Sequence, residues 1–520
     1  MKNSKTAPCK KLFLTGLFSL LSLVLLLVTP VFAVNSVGPL AGENYKDLDD
    51  YIEGQRRELK SPGMAFVLVE QGEIVYTRGY GTADSGARAV EPQTPFLLGS
   101  VTKPITALAV LQLVEAGKIN LDEPIQTYLP WFVTAEPFYS DRITVRHLLT
   151  QTSGFSTLTG QKQMADFDGS AAALENHVRS LMGETLSWGP GGAYQYSNAN
   201  FTLLGLIIQT VSGQSYEEYV QQHIFAPLEM THSFTDQAAA EQAGLAEGVR
   251  FWFKQPVPAR LPFNRGDLPA AYLISSAADM GNFILAMLND GVYKDRTILS
   301  AAGLAQMQAP AASIREGLGY GLGWFVADRQ DGTRLVYHNG DLANYHAEIW
   351  LCPAENWGFA LLMNANSMVE PHGFNSAAMG LVNQVAGRRL LPHLGGKNWF
   401  QTMLPLLIPL GITLVIVMVD FLSLLKWGRR PETRPTGPAA WVGRLALPVV
   451  ILATVILALL VYIPALMEYP LRVVFLFAPD AGVLIALTLV LAALWATAGS
   501  MWKIRVFQKP LPRYAFNGSR

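Results

Sequence analysis

The sequence predicts an α+β domain followed by three membrane-spanning helices. Strand-like runs fall at the two ends of residues 40–395 and helical patterns fill the middle, the order expected of an α+β domain. Three apolar runs then fill the C-terminus, each near the ~20 residues that a bilayer core requires. Composition agrees with both. Only 15% of the 520 residues are charged and the mean hydropathy is +0.24. The net charge of −1 gives no electrostatic footing for nucleic acid, and none is expected as a partner.

In chain order, Lys2, Lys5, Lys10 and Lys11 precede an apolar run over 12–28, and Val31-Phe32-Ala33 supplies small residues for cleavage. Residues 1–33 therefore read as a signal peptide, although the run to Ala33 is also long enough for an uncleaved anchor. Within the domain, 64–69 and 73–76 read as a hairpin around Gln71-Gly72. Helical patterns follow over 100–117, 201–212, 216–226 and 276–289, and strands over 336–337, 348–351 and 359–363. The expected spans are 402–425, 445–467 and 481–502. Asp420 is the one charge inside them, near the end of its run.

Loop charge sets the expected orientation. The connection 426–444 carries Lys426, Arg429, Arg430, Arg434 and Arg444 against Glu432. The connection 468–480 has Arg472 as its only basic residue, and the tail carries Lys503, Arg505, Lys509, Arg513 and Arg520 without an acid. By the positive-inside rule, 426–444 and the tail face the cytoplasm. The chain is expected to be a multi-pass cell-membrane protein with its globular domain outside. Cys9 precedes the signal's apolar run and leaves Cys352 alone, so no internal disulfide is expected. The eight His are scattered and no C-x-x-C or H-E-x-x-H occurs, so neither metal nor cofactor is expected.

The chemistry centres on Ser100-Val101-Thr102-Lys103. Residues three apart on a helix share a face, which sets a hydroxyl nucleophile beside an amine that can take its proton. Gly99 allows a tight entry, and Pro104 is tolerated only near a helix start. The helix thus begins close to Ser100, whose positive dipole end favours a neutral Lys103 and a developing oxyanion. A second Ser-x-x-Lys, Ser500 to Lys503, closes an apolar run and reads as coincidence. Tyr196-Ser197-Asn198 follows a Gly-Pro-rich turn. Tyr196 is expected to shuttle a proton if Lys103 lowers its pKa, and Asn198 to hold the lysine and a substrate amide. His338-Asn339-Gly340 ends a strand, where Gly340 permits close backbone approach. The N–H groups of Ser100 and Asp341 would form an oxyanion hole. Each piece also has a plain reading: a helix cap, a packed aromatic, a strand-end histidine. His393-Leu394-Gly395 is another H-x-G, next to the membrane run.

Taken together, Ser-x-x-Lys, Tyr-x-Asn 96 residues later and His-x-Gly 142 residues after that resemble the class C β-lactamases and penicillin-binding-protein-like serine hydrolases. The run from His147 to Gly154 is similar to that family's HLLTHTSG loop. Pro269-Ala270-Ala271-Tyr272, with Ser275 to Met280, resembles its PAGG…ST..DM segment, and 362–366 resembles its closing strand. The resemblance implies an antiparallel sheet flanked by helices, a helical subdomain and a site at their junction. It implies Ser100 as the acylated nucleophile, with Lys103 and Tyr196 handling protons. The layout with three C-terminal spans is similar to the membrane-bound peptidases that mature nonribosomal prodrugs, such as the colibactin-maturing D-asparaginyl peptidase. Three positions depart from that peptidase: Leu97 where it has Glu, Asp267 where it has His, and Leu342 or Asn344 where it has Asn.

The expected function is a membrane-anchored extracytoplasmic serine peptidase or amidase on D-amino-acid-containing or acyl-peptide substrates. A carboxylesterase, a β-lactamase or DD-peptidase, and a non-catalytic sensor are the alternatives. Three spans exceed what anchoring needs, so a transporter or a second copy of the chain is an expected partner.

Overall fold

The computed structural model describes residues 45–369, 371–391, 399–434, 437, 439, 442–462, 464–465 and 468–508. The signal-peptide segment 1–33 and His393 lie outside the described residues.

The chain opens with helix α1 (Lys46–Glu58) and the hairpin β1 (Gly63–Glu70) and β2 (Glu73–Gly81). Gln71 and Gly72 both take positive φ, as the two-residue turn of a twisted hairpin requires. A short strand β3 (Pro95–Leu97) leads into helix α2 (Thr102–Glu115), and a largely helical stretch follows. It includes α3 (Val145–Leu149) and α4 (Asn198–Ser212), then β4 (Ile274–Ser276) and α5 (Ala277–Leu288). The strands resume as β5 (Ala312–Arg315), β6 (Leu318–Tyr320), β7 (Phe325–Asp328), β8 (Arg334–Asp341), β9 (His346–Cys352) and β10 (Trp357–Met363), and α6 (Pro371–Val385) closes the domain.

Eight strands form one sheet in the order β2-β1-β10-β9-β8-β7-β6-β5, every neighbouring pair antiparallel. The N-terminal hairpin therefore joins the C-terminal strands, with the helical middle inserted between them. Strand β1 is buried on both faces. Ala65, Val67 and Val69 join the main core with α2, α4 and α5, while Met64, Phe66 and Leu68 join a second core with α1 and α6. Alternate residues of a strand point to opposite faces, so a near-continuous apolar run is what such a position needs. This helix–sheet–helix layering with a helical lobe is the α+β architecture that the sequence predicts.

Beyond α6 the chain is helical. Two helices are long and apolar enough to cross a membrane, Trp399–Arg429 (α7) and Pro479–Gln508, with hydropathies of 2.4 and 2.2. On α7 side chains such as Ile408, Leu414, Val415, Met418 and Leu422 are exposed, a surface that water disfavours. Within the third expected span, 445–467, a described apolar helix runs over Leu447–Val461. π-helical turns flank its α-helical part, α8 (Leu447–Leu457). A connecting helix α9 (Leu471–Phe477) then leads into Pro479–Gln508, whose parts are α10 (Pro479–Leu494), a π turn and α11 (Ser500–Gln508).

Polar residues in this bundle are paired. Asp420 on α7 makes a buried ion pair with Lys503 on α11 and accepts from Trp495 Nε1 at 3.0 Å. Lys503 also donates to the Arg444 carbonyl oxygen at 2.8 Å. The second Ser-x-x-Lys thus spends its lysine on an interhelical contact. Connecting helix α9 folds back onto the globular domain. Val473 and Phe477 pack with Met164 and Ala343, and Arg250 donates to the Leu476 carbonyl oxygen at 3.1 Å.

Candidate active site

Helix α2 is apolar almost all round, from Ile105 to Leu113, and is buried accordingly. Its first turn is therefore driven into the interior, taking Lys103 with it. Ser100 sits one turn earlier, in a 3-10 segment at Gly99–Val101. It is half-buried, as a nucleophile that must meet substrate should be.

The Lys103 side chain is fully buried. Its Nζ lies 2.7 Å from Asn198 Oδ1, 2.8 Å from the Ala270 carbonyl oxygen and 3.0 Å from Ser100 Oγ. The first two are pure acceptors, and a neutral amine has two N–H groups to give them. Its lone pair then remains for the Ser100 hydroxyl proton. Burial pushes the lysine pKa down to about 7, with the Asp267 carboxylate pulling the other way. The free base is thus well populated near neutrality. The lysine nitrogen also faces the Tyr196 ring at 4.8 Å and the Phe201 ring at 5.5 Å.

Tyr196 corrects one expectation. Burial holds its phenol pKa well above the ordinary value, and the interaction with Ser100 only partly offsets this. Lys103 is not among the groups that act on it most strongly. Tyr196 is a protonated phenol, able to donate, while the lysine is the better resting base.

A loop holds these groups in register. Gln151, at φ 59°, accepts from the Ser197 backbone N–H at 3.0 Å and from the Asn200 side chain. Ser153 Oγ donates to Asn200 Oδ1 at 2.5 Å, and the Gln195 N–H donates to the Gln151 carbonyl oxygen at 2.8 Å. The His147–Gly154 stretch thus clamps the Tyr196–Asn198 segment.

Strand β8 ends against the nucleophile. A Cβ on Gly340 would fall 2.0 Å from the Leu98 carbonyl oxygen and 2.9 Å from the Ser100 amide nitrogen. A Cβ on Gly99 would fall 2.6 Å from the Asp341 amide nitrogen. The two peptides fit together only because neither residue has a side chain, and this brings the Ser100 and Asp341 N–H groups side by side.

His338, expected among the substrate-binding residues, lies on β8. It is buried, with Nε2 3.1 Å from the Tyr320 hydroxyl and Nδ1 2.7 Å from the Asn339 carbonyl oxygen. Burial and the Lys103 charge lower its pKa to about 3, so the ring is neutral. Nδ1–H donates to the carbonyl and Nε2 accepts from the phenol. Its ring centre lies 6.1 Å from that of Tyr196, within a cluster that includes Tyr320 and Phe325. Sequence reasoning missed Ala270, Gln151 and Tyr320. The first contributes only a backbone carbonyl, which no residue type announces.

A cavity of about 300 Å³ is lined by Leu97, Tyr272, Leu342, Tyr345 and, from helix α9, Leu476 and Phe477. The Glu241–Arg260 ion pair, at 2.6 Å, stands at its edge. Asp267 is not part of it. That carboxylate is buried and accepts from Thr202 Oγ1 at 3.1 Å. Asn344 is likewise occupied, donating to the Ala259 carbonyl oxygen at 2.7 Å. Among the described residues no cluster of His, Cys, Asp and Glu could hold a metal ion.

Sheet, helical lobe and buried Ser–Lys pair together define a β-lactamase-like serine hydrolase. Residues 48–384 match the Beta-lactamase family, and the chain belongs to it. It is 30% identical over 395 residues to Protein flp of Staphylococcus aureus (strain MW2), covering 75% of this chain and 76% of that protein. It is also 30% identical over 283 residues to the putative penicillin-binding protein PbpX of Bacillus subtilis (strain 168), covering 54% of this chain and 66% of that one. Among solved structures, the octameric penicillin-binding protein homologue from Pyrococcus abyssi superposes with a TM-score of 0.59 at 27% identity, over 71% of this chain and 82% of its own.

Proposed function

We propose that the chain is a membrane-anchored extracytoplasmic serine hydrolase that cleaves an amide bond of acyl-peptide or D-amino-acid-containing substrates through an acyl-enzyme at Ser100. One observation carries this reading: a buried Lys103 whose two acceptors leave its lone pair to Ser100. In the first half-reaction the Ser100 hydroxyl proton passes to Lys103 Nζ as Oγ attacks the substrate carbonyl carbon. The resulting oxyanion is met by the Ser100 and Asp341 N–H groups. Tyr196 donates its proton to the departing amine and is reprotonated from Lys103. Water then attacks the ester with the same groups acting in reverse. Asn198 and the Ala270 carbonyl orient the lysine, and His338 supports Tyr196 through Tyr320.

A cavity lined by Leu97, three residues before Ser100, is expected to take an apolar substituent of the substrate. Leu97 presents a hydrocarbon where the prodrug-maturing peptidases of similar layout carry a carboxylate, so an acyl or aromatic group fits better than a D-Asn side chain. Helix α9 contributes Phe477 to that cavity, which supports a role for the membrane helices in receiving substrate as well as in anchoring.

The experiment is covalent labelling of the full-length protein in membranes by a fluorescent fluorophosphonate. A paired panel of acyl-D- and acyl-L-peptides and matched esters follows. Ser100→Ala is expected to abolish labelling and turnover, and Ser500→Ala to leave both intact. Turnover of esters alone would convert the assignment to a carboxylesterase. Residual activity of Ser100→Ala within tenfold of wild type would remove Ser100 as the nucleophile.

A further inference from the structure

Immediately behind the Asp341 peptide lies a charged cluster that the reaction above does not use. Asp341 and His346 face each other across the β8–β9 ladder. The His346 side chain is fully buried, yet both ring nitrogens meet carboxylates: Nδ1 lies 2.8 Å from Asp341 Oδ1 and Nε2 3.1 Å from Glu348 Oε1. A neutral imidazole has a single N–H, so one nitrogen would then confront a carboxylate lone pair with its own. The protonated ring satisfies both. Burial alone would push the His346 pKa down, but Asp341 and Glu348 outweigh it and hold it up at about 10.

The remaining neighbours fix the same arrangement. Asn366 Nδ2 donates to Asp341 Oδ1 at 3.0 Å, and Asn339 Nδ2 donates to Asp341 Oδ2 at 2.9 Å. Trp350 Nε1 donates to Glu348 Oε2 at 2.9 Å, and the Phe374 ring of α6 packs 5.6 Å from the imidazole. The Asp341 charge is felt in turn by His338, Tyr196 and Tyr469. The Asp341 side chain is 41% exposed, whereas His346 beneath it is sealed.

This placement poses an electrostatic problem. A carboxylate on the residue whose N–H stabilises an oxyanion repels the charge that N–H is there to receive. We infer that His346 is a positioning residue for acyl transfer: a buried imidazolium that pins the Asp341 side chain and cancels its charge, leaving the Asp341 N–H free to act on the oxyanion. The inference rests on the acyl-enzyme reading of the site.

The test compares second-order fluorophosphonate labelling rates of the full-length protein carrying His346→Gln, His346→Gln/Asp341→Asn or Glu348→Gln. His346→Gln leaves the Asp341 and Glu348 carboxylates uncompensated and is expected to slow labelling at least thirtyfold. The double variant, with neither the His346 nor the Asp341 charge, is expected to recover to within about fivefold of wild type. Glu348→Gln, which still accepts from Nε2, is expected to stay within threefold. A double variant no faster than His346→Gln, or a His346→Gln within threefold of wild type, overturns the inference. If His346→Gln does not fold, ¹⁵N NMR of histidine-labelled wild type decides: both His346 nitrogens protonated at pH 8 supports the imidazolium, and a neutral ring overturns it. Failure of Ser100→Ala to abolish labelling would refute the acyl-enzyme reading itself, a separate outcome.

Discussion

The side-chain nitrogen of Lys103 lies 2.8 Å from the carbonyl oxygen of Ala270, on a segment that contributes no catalytic side chain. That backbone oxygen and Asn198 together occupy the N–H groups of a neutral amine, and this decides which way the lysine's lone pair points. A third acceptor supplied by a carboxylate would have fixed an ammonium instead. The Asp267 carboxylate, which acts on Lys103 through its charge, accepts from Thr202 instead.

The pH dependence of acylation follows. The Lys103 pKa is depressed from its ordinary 10.5 to about 7, so the free base grows as pH rises through that value. Labelling is expected to rise about tenfold per pH unit below the midpoint and to level off above it. A stopped-flow profile over pH 5–10 checks this, and a midpoint above 9 would show a lysine resting as ammonium.

Lys103 and Tyr196 are expected to act as one unit, because the proton lost by Ser100 passes through both. Lys103→Ala, Tyr196→Phe and the double variant should each cost on the order of 10³ or more in turnover, with no multiplication in the double. Multiplicative losses in a kinetic cycle would separate the two.

Gly340→Ala places a methyl 2.0 Å from the Leu98 carbonyl oxygen, so β8 must retreat from Ser100. One oxyanion donor is worth on the order of 10²–10³ in rate, and a loss of that size in kcat is expected with KM little changed. Thermal melting should still be cooperative. A variant with wild-type kcat would place the oxyanion site elsewhere.

Loop charge predicts the topology. Reporter fusions at Gly437 and Arg520 are expected to report cytoplasm, and one at Gly395 export. A cytoplasmic signal at Gly395 reverses the orientation.

A soluble fragment of residues 34–398 lacks helix α9 and therefore one wall of the cavity. It retains Ser100, Lys103 and Tyr196 and is expected to label with a fluorophosphonate. Its KM for acyl-peptides should rise at least tenfold as Phe477 and Leu476 are lost. An unchanged KM, or full cellular function of the secreted fragment at equal abundance, would reduce the helices to an anchor.

Much of the site was legible in the sequence because its signals are local. Ser100 and Lys103 share a helix turn, Gly99 and Gly340 mark close backbone approach, and Tyr196 and Asn198 stand at a helix start. What escaped is tertiary or carried by backbone. The Ala270 carbonyl has no residue signature, Gln151 acts through a left-handed loop conformation, and His346 becomes charged only when two strands pair. Strands β5 to β7 are only three or four residues long, so no period-two pattern announces them.

The buried pair of Asp420 and Lys503 also imposes an order on biogenesis. The two residues are 83 positions apart, so the carboxylate emerges long before the amine that neutralises it. During that interval α7 carries a charge that a bilayer tolerates poorly. Its final seating must wait for α11, and the bundle is then held by a clasp closed only after that helix has emerged. A chain truncated before Lys503 leaves that clasp open.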